Sequence, residues 1–230
     1  MIVAIDGPAG SGKSTVARSI ARDFGFTYLD TGAMYRCAAL AAIERGIPLS
    51  DGERLEELAR SVEIGFGRAS DGTQTVTLDG RDVTLAIRTP QVDAAVTAVS
   101  AVQGVREVMV ALQRSIADGR DAVAEGRDIG TVVFPGAEVK VFLTATPEAR
   151  AHRRADQNRA RRVSAQGEVD EGKVLAALVE RDRADSSRNV APLRPADDAV
   201  LIDSSDLTAD EVVAQIGALV SAVRTDGRKG

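Results

Sequence analysis

The first fifteen residues constrain this chain most. Met1-Ile2-Val3-Ala4-Ile5-Asp6 is an apolar run with the character of a buried strand, and Gly7-Pro8-Ala9-Gly10-Ser11-Gly12-Lys13-Ser14-Thr15 follows it directly. Gly7, Gly12, Lys13 and Ser14 stand where a phosphate-binding loop requires them. Glycines let such a loop bend until several backbone N–H groups face one phosphate chain, and the next helix directs its positive end the same way. Lys13 would add a full charge near the β- and γ-phosphates, and Ser14 a hydroxyl for Mg²⁺. Val16, Ile20 and Phe24 then mark one side of an amphipathic helix. With a strand before it, Lys-Ser inside it and such a helix after it, the segment reads as a nucleoside triphosphate site rather than a plain strand-to-helix turn.

Short apolar runs alternate with helical patterns along the rest of the chain, which predicts an α/β fold with a parallel sheet covered by helices on both faces. The expected strands are Ile2–Asp6, Thr27–Leu29, Ala122–Glu125, Val139–Leu143 and Ala199–Ile202. Thr146-Pro147-Glu148 opens one helix, and Thr208-Ala209-Asp210-Glu211 is a capping box before another. Gly46, with Pro48 beyond it, closes the helix that starts near Thr31. Val62–Phe66, Thr73–Leu78 and Arg81–Thr84 break this rhythm and predict a small antiparallel meander turning at Asp71-Gly72 and Asp79-Gly80. We expect one domain over 1–230, with an insertion near 62–102, a short lid near 150–168 and a frayed tail from Thr225 to Gly230.

A length of 230 residues with 44% hydrophobic content supports a substantial core. The net charge of −5 speaks against a dedicated nucleic-acid binder, though a small phosphorylated ligand needs only local positive charge. The single cysteine, Cys37, cannot form an intramolecular disulfide and reads as a small buried apolar residue. No stretch has the length of a membrane span, and no secretion signal precedes the first strand. The expected setting is the cytoplasm, and the expected state a monomer.

A phosphate loop alone does not separate kinases from GTPases or motor ATPases. Arg127-Asp128 follows one expected strand and Asp30-Thr31-Gly32 another, with Tyr35 and Arg36 a turn into the next helix. Each motif alone could be a salt bridge or a cap. Together, at the carboxyl edge where open α/β sheets bind ligands, they favour a second phosphorylated ligand. Arg181, Asp185 and Arg188 are spaced to share a helical face, as an ion-pair face or a ligand contact. Arg150, Arg153, Arg154, Arg159, Arg161 and Arg162 form a cluster that repels itself unless acids or anions share it, as in a lid closing over a phosphoryl group. His152, within it, reads as a helix residue rather than a base, and Asp203 as an ordinary strand end rather than a metal ligand.

These residues resemble one family nearly end to end, the bacterial-type cytidylate kinases. The resemblance runs through Gly7–Thr15, Leu29-Asp30-Thr31-Gly32-Ala33-Met34-Tyr35-Arg36 and Glu125-Gly126-Arg127-Asp128-Ile129-Gly130-Thr131-Val132-Val133-Phe134-Pro135. It continues through Ala151-His152-Arg153-Arg154, Arg181–Arg188 and Ala191-Pro192-Leu193. The resemblance implies a P-loop nucleoside monophosphate kinase with ATP as donor, Mg²⁺ as cofactor and CMP or dCMP as acceptor, without nucleic-acid or membrane partners. It implies that Tyr35, Arg36, Arg127 and Arg188 hold the CMP phosphate, that Arg181 and Asp185 meet the sugar, and that Arg106 and Asp128 read cytosine. Lys13 with Arg153 or Arg154 would neutralise the migrating group. Two positions depart from the family pattern: Thr97 and Thr31 stand where serine is common, each keeping the hydroxyl and adding a methyl.

Overall fold

Val3, Ala4 and Ile5 alternate across a strand, yet all three are buried, because a central parallel strand is covered on both faces. The computed structural model describes residues 1–161 and 170–226. It divides the chain into two compact units, one of Met1–Leu29 with Gly119–Gly230, the other Asp30–Asp118.

In the first unit, β1 (Ile2–Asp6) leads through the glycine bend into α1 (Lys13–Phe24) and β2 (Thr27–Asp30). The chain returns to this unit at β6 (Ala122–Gly126), followed by a single π-helical turn, Ile129–Val133, and β7 (Val139–Thr144). α6 (Pro147–Arg161), α7 (Glu171–Ser186), β8 (Val200–Asp203) and α8 (Ala209–Asp226) complete it. The five strands lie in the order β2-β6-β1-β7-β8 as the expected parallel sheet, with Ile5 beside Glu125 and Val141. One face of its core gathers Val3, Ile5, Val16, Ile20, Val123, Val141, Ile216 and Val220, and the last two come from the α8 stripe.

The capping box is present: Thr208 N–H and hydroxyl donate to Glu211 at 2.8 Å, and Glu211 N–H donates back to Thr208 Oγ1 at 3.3 Å. The expected frayed tail begins too early, since Thr225 and Asp226 still belong to α8; residues 227–230 lie outside the described residues. Likewise α6 runs to Arg161, whereas Arg162 and the rest of the expected lid, 162–168, lie outside the described residues.

In the second unit, α2 (Thr31–Glu44) begins on an Asp30 cap whose Oδ1 accepts from Ala33 N–H at 2.9 Å. Gly46 ends the turn after it at φ 61°, as its sequence position predicts. α3 (Gly52–Ser61) precedes an antiparallel sheet of β3 (Ile64–Arg68), β4 (Gln74–Leu78) and β5 (Arg81–Asp82). Asp79 and Gly80 both take positive φ, the two-residue hairpin turn read from the sequence. α4 (Pro90–Ala101) and α5 (Gln103–Ala117) close the unit. Together they are long and apolar enough for a membrane span, but they meet at 96° and bury Val92, Val96, Val99, Val105 and Met109. Among the described residues no single helix is long and apolar enough to cross a membrane.

Candidate active site

The glycine bend sits at the carboxyl end of β1, the middle strand of the sheet, where strand order reverses and open α/β sheets bind ligands. Its shape is forced. A Cβ on Gly7 would lie 2.0 Å from the Leu143 carbonyl oxygen, and Gly12 caps α1 at φ 93°. Side chains hold the loop by its carbonyls: Lys13 Nζ donates to Pro8 O at 2.6 Å, Arg150 Nη1 to Ala9 O at 3.1 Å, and Ser204 Oγ to Ser11 O at 3.2 Å. In a planar trans peptide the next N–H points the opposite way, so the N–H groups of Ala9, Gly10 and Gly12 face away from those anchors. Loop N–H groups of this kind are donors that a phosphate chain can use.

Lys13 is buried, and burial together with the charge of Arg127 lowers its pKa to about 7, while Glu125, Asp6 and Arg181 act more weakly. A dianionic or trianionic ligand would restore its full charge. The Ser14 hydroxyl, half-buried at the start of α1, is a hard oxygen donor of the kind Mg²⁺ takes, usually as one of few protein ligands beside phosphate and water.

Beyond β6 the expected acceptor residues of the first unit come together. Arg127 Nε donates to Asp185 Oδ2 at 2.8 Å, Arg188 Nη2 lies 3.7 Å from Asp185 Oδ1, and Arg188 Nε donates to Asp185 O at 3.2 Å. Burial opposes ionising Asp185, but Arg127, Arg181 and Arg188 outweigh it and hold its carboxyl below the usual range. Three guanidinium groups thus act on one carboxylate. Arg188 differs from its expected place on a helical face: α7 ends at Ser186, and Arg188 reaches back to Asp185 from beyond the helix. Asp128, also expected, is buried just after β6, and its carbonyl accepts from Val132 and Val133 N–H at 2.9 and 3.1 Å.

Within the arginine cluster of α6, Arg150 and Arg159 meet acids and Arg153 meets a hydroxyl and a carbonyl. Arg150 pairs with Asp182 of α7, and Arg159 with Asp156 and Glu171 at 2.7 Å each. Arg153 donates to Ser204 Oγ at 3.0 Å and to Ser204 O at 2.5 Å, beside the loop anchor rather than at its mouth. His152 is exposed on α6, 3.5 Å from Glu171 and 3.6 Å from Asp156, in keeping with a helix residue. Asp203 Oδ1 accepts from the Ser205 N–H and hydroxyl, so it closes a turn as an ordinary strand end.

The remaining expected acceptor residues lie in the second unit, where the structure brings Arg106 to Tyr35. Arg106 of α5 is buried, with its guanidinium 5.5 Å from the centre of the Tyr35 ring and Nη1 donating to Ser100 O at 3.3 Å. Arg36 donates to Asp93 Oδ1 at 2.5 Å and to Ile87 O at 3.1 Å. Thr31 is buried in the first turn of α2, and Thr97 is half-buried on α4. Asp93, Asp6, Glu125, Asp182 and Ser204 escape the sequence reading, because each is a lone residue whose partner is remote in sequence, and Arg150, read as part of a lid cluster, instead holds the loop carbonyl of Ala9. Only Asp6, at a strand end beside the glycine bend, carried a local signal.

The sequence model of cytidylate kinase matches residues 3–222. The chain is 49% identical over 224 residues to the cytidylate kinase of Pelotomaculum thermopropionicum, covering 97% of each. It is 49% identical over 223 residues to that of Rhodococcus opacus, covering 96% of this chain and 95% of the relative. Among solved structures, an uncharacterized protein from Eubacterium ventriosum superposes with a TM-score of 0.51 at 13% identity, covering 96% of this chain and 98% of its own, a likeness of fold alone.

Proposed function

The chain belongs to the cytidylate kinase family, and on that premise we propose that it moves the γ-phosphoryl group of ATP to CMP or dCMP, giving ADP and CDP or dCDP. One observation carries the reading to these residues: Arg127, Arg181 and Arg188 crowd one carboxylate, and Arg127 and Arg181 also depress Lys13. Cations that close repel one another until anions arrive, and a triphosphate with a monophosphate would supply two.

The loop Gly7–Thr15 binds the triphosphate, with Lys13 at the β- and γ-phosphates. Ser14 would hold Mg²⁺, which when bound neutralises charge on the phosphates. Tyr35, Arg36, Arg127 and Arg188 contact the acceptor phosphate, Thr31 lies beside it, and Arg181 and Asp185 contact the sugar. Arg106 and Asp128, with Thr97 near them, read the base: a carboxylate accepts from the exocyclic amine of cytosine, and an arginine donates to O2 or N3. Uracil presents a carbonyl where cytosine presents that amine, so it loses a hydrogen bond and faces a carboxylate.

The transfer is direct and in line. An oxygen of the acceptor phosphate forms the new P–O bond as the bond to the ADP oxygen breaks. That oxygen is already a competent nucleophile, so no strong general base is required, and catalysis consists of positioning and charge neutralisation. Arg153 and Arg154 are proposed to add charge at the migrating group, which requires Arg153 to leave Ser204. We read the protein as a cytoplasmic monomer of 24.1 kDa, a setting that suits its buried free thiol at Cys37.

Labelled ATP tests the assignment. With [γ-³²P]ATP and CMP the label should enter CDP; label released only as inorganic phosphate, at a rate indifferent to CMP, identifies a hydrolase instead.

A further inference from the structure

We propose that Asp6 is a positioning residue for the transfer, a clamp that keeps the segment bearing Arg127 and Asp128 in register with the phosphate loop. The inference rests on the reading of those two residues as acceptor contacts. Asp6 ends β1 and directly precedes Gly7, and its side chain reaches the segment that follows β6. Oδ1 accepts from Ile129 N–H and Oδ2 from Gly130 N–H, each at 2.7 Å. These are the first two N–H groups of the Ile129–Val133 turn, donors that a helical turn cannot satisfy within itself.

The clamp fixes Asp128 from both sides. Its own carbonyl is held by Val132 and Val133, and the two N–H groups that follow it are held by Asp6. Asp128 therefore keeps one backbone geometry, φ −147° and ψ 27°, and Arg127 immediately before it is anchored with it.

A carboxylate is an expensive choice at this place. Asp6 is 4% exposed, and burial raises its pKa to about 6 against the help of the two N–H bonds and Lys13, with Asp128 adding repulsion. Only a carboxylate, however, can accept from two N–H groups with two equivalent oxygens; an asparagine of the same shape turns an NH₂ group toward one of them. The Asp6 carboxylate accepts from backbone N–H groups, so it acts through the residues that it places.

The test compares wild type with Asp6→Asn. Expected is a cooperatively folded variant whose kcat/KM for CMP falls about 100-fold, the scale of an ångström-sized misplacement, while the dissociation constant for ATP changes less than about 3-fold. An equal loss toward ATP, or an unchanged CMP parameter, overturns the clamp. Should the variant fail to fold, amide hydrogen exchange of wild type decides without any substrate. The Ile129 and Gly130 amides should exchange as slowly as those of β1 and β6, and exchange at the rate of exposed loops contradicts the proposal. A wild type that protects these amides yet leaves CMP unphosphorylated would instead refute the functional reading.

Discussion

Single side chains set the chemistry, and three of them carry measurable expectations. Asp6 has its carboxyl at about 6 in the fold against an ordinary 3.8, so between those values the folded chain holds a proton that the unfolded chain has released. That contribution to stability is complete below pH 3.8 and is lost as pH rises through 6, on the order of 3 kcal/mol in all. Urea unfolding of wild type and Asp6→Asn at pH 4 and pH 7 should show the wild type losing ground by that order; parallel curves would mean that Asp6 ionises freely. Lys13→Ala should lower turnover on the order of 10²–10³-fold, as removal of one preorganised transition-state donor does, and near-normal turnover would remove Lys13 from the chemistry. Asp128→Ala should impair CMP use far more than ATP binding, and an equal loss of both would make its role structural. At this scale the sequence was readable where one segment carries a whole motif, as in Gly7–Thr15 and Glu125–Pro135. It was silent on Asp93, Asp182 and Ser204, whose meaning comes only from partners across the fold.

Elements were readable to the extent that their signals were local. β1, β6 and β7 are largely apolar runs bounded by turn residues, and each appears within a residue of its expected limits. The capping box before α8 and the Asp79-Gly80 turn are specified by short-range hydrogen bonding and by φ, both local matters. β5 is shorter than expected, and α7 stops before Arg188, because such ends depend on tertiary partners that periodicity does not encode. α6 and α7 are joined by the Arg150–Asp182 pair, and Arg150 also holds the Ala9 carbonyl. Removing one partner of a largely buried pair leaves an uncompensated charge, so Arg150→Met should cost about 3 kcal/mol in thermal or urea unfolding and raise the KM for ATP. Arg150→Met with Asp182→Leu should recover most of that stability without restoring the KM, because the loop carbonyl remains without its donor. Recovery of both parameters would show that the pair supports only the helices.

For the molecule as a whole, alternation of strand and helix patterns sufficed to predict a parallel α/β sheet, since only strands covered on both faces read as unbroken apolar runs. The strand order β2-β6-β1-β7-β8 was not legible, because neighbours in the sheet are separated by as many as 136 residues, as Val3 and Val139 are. The overall acidity of the chain is reconciled with anion binding by where its cations lie: Arg127 and Arg181 act on Lys13, and with Arg188 they share Asp185, while Arg150 and Arg159 are paired with other carboxylates. We propose that these cations serve a cytosine nucleotide as phosphoryl acceptor. Steady-state ADP formation with CMP, dCMP, UMP, AMP and GMP in turn tests it most directly. Values of kcat/KM for CMP or dCMP at least about 100-fold above the rest are predicted, as expected where a buried polar pair loses its partner; equal use of UMP, or turnover independent of any acceptor, would contradict it.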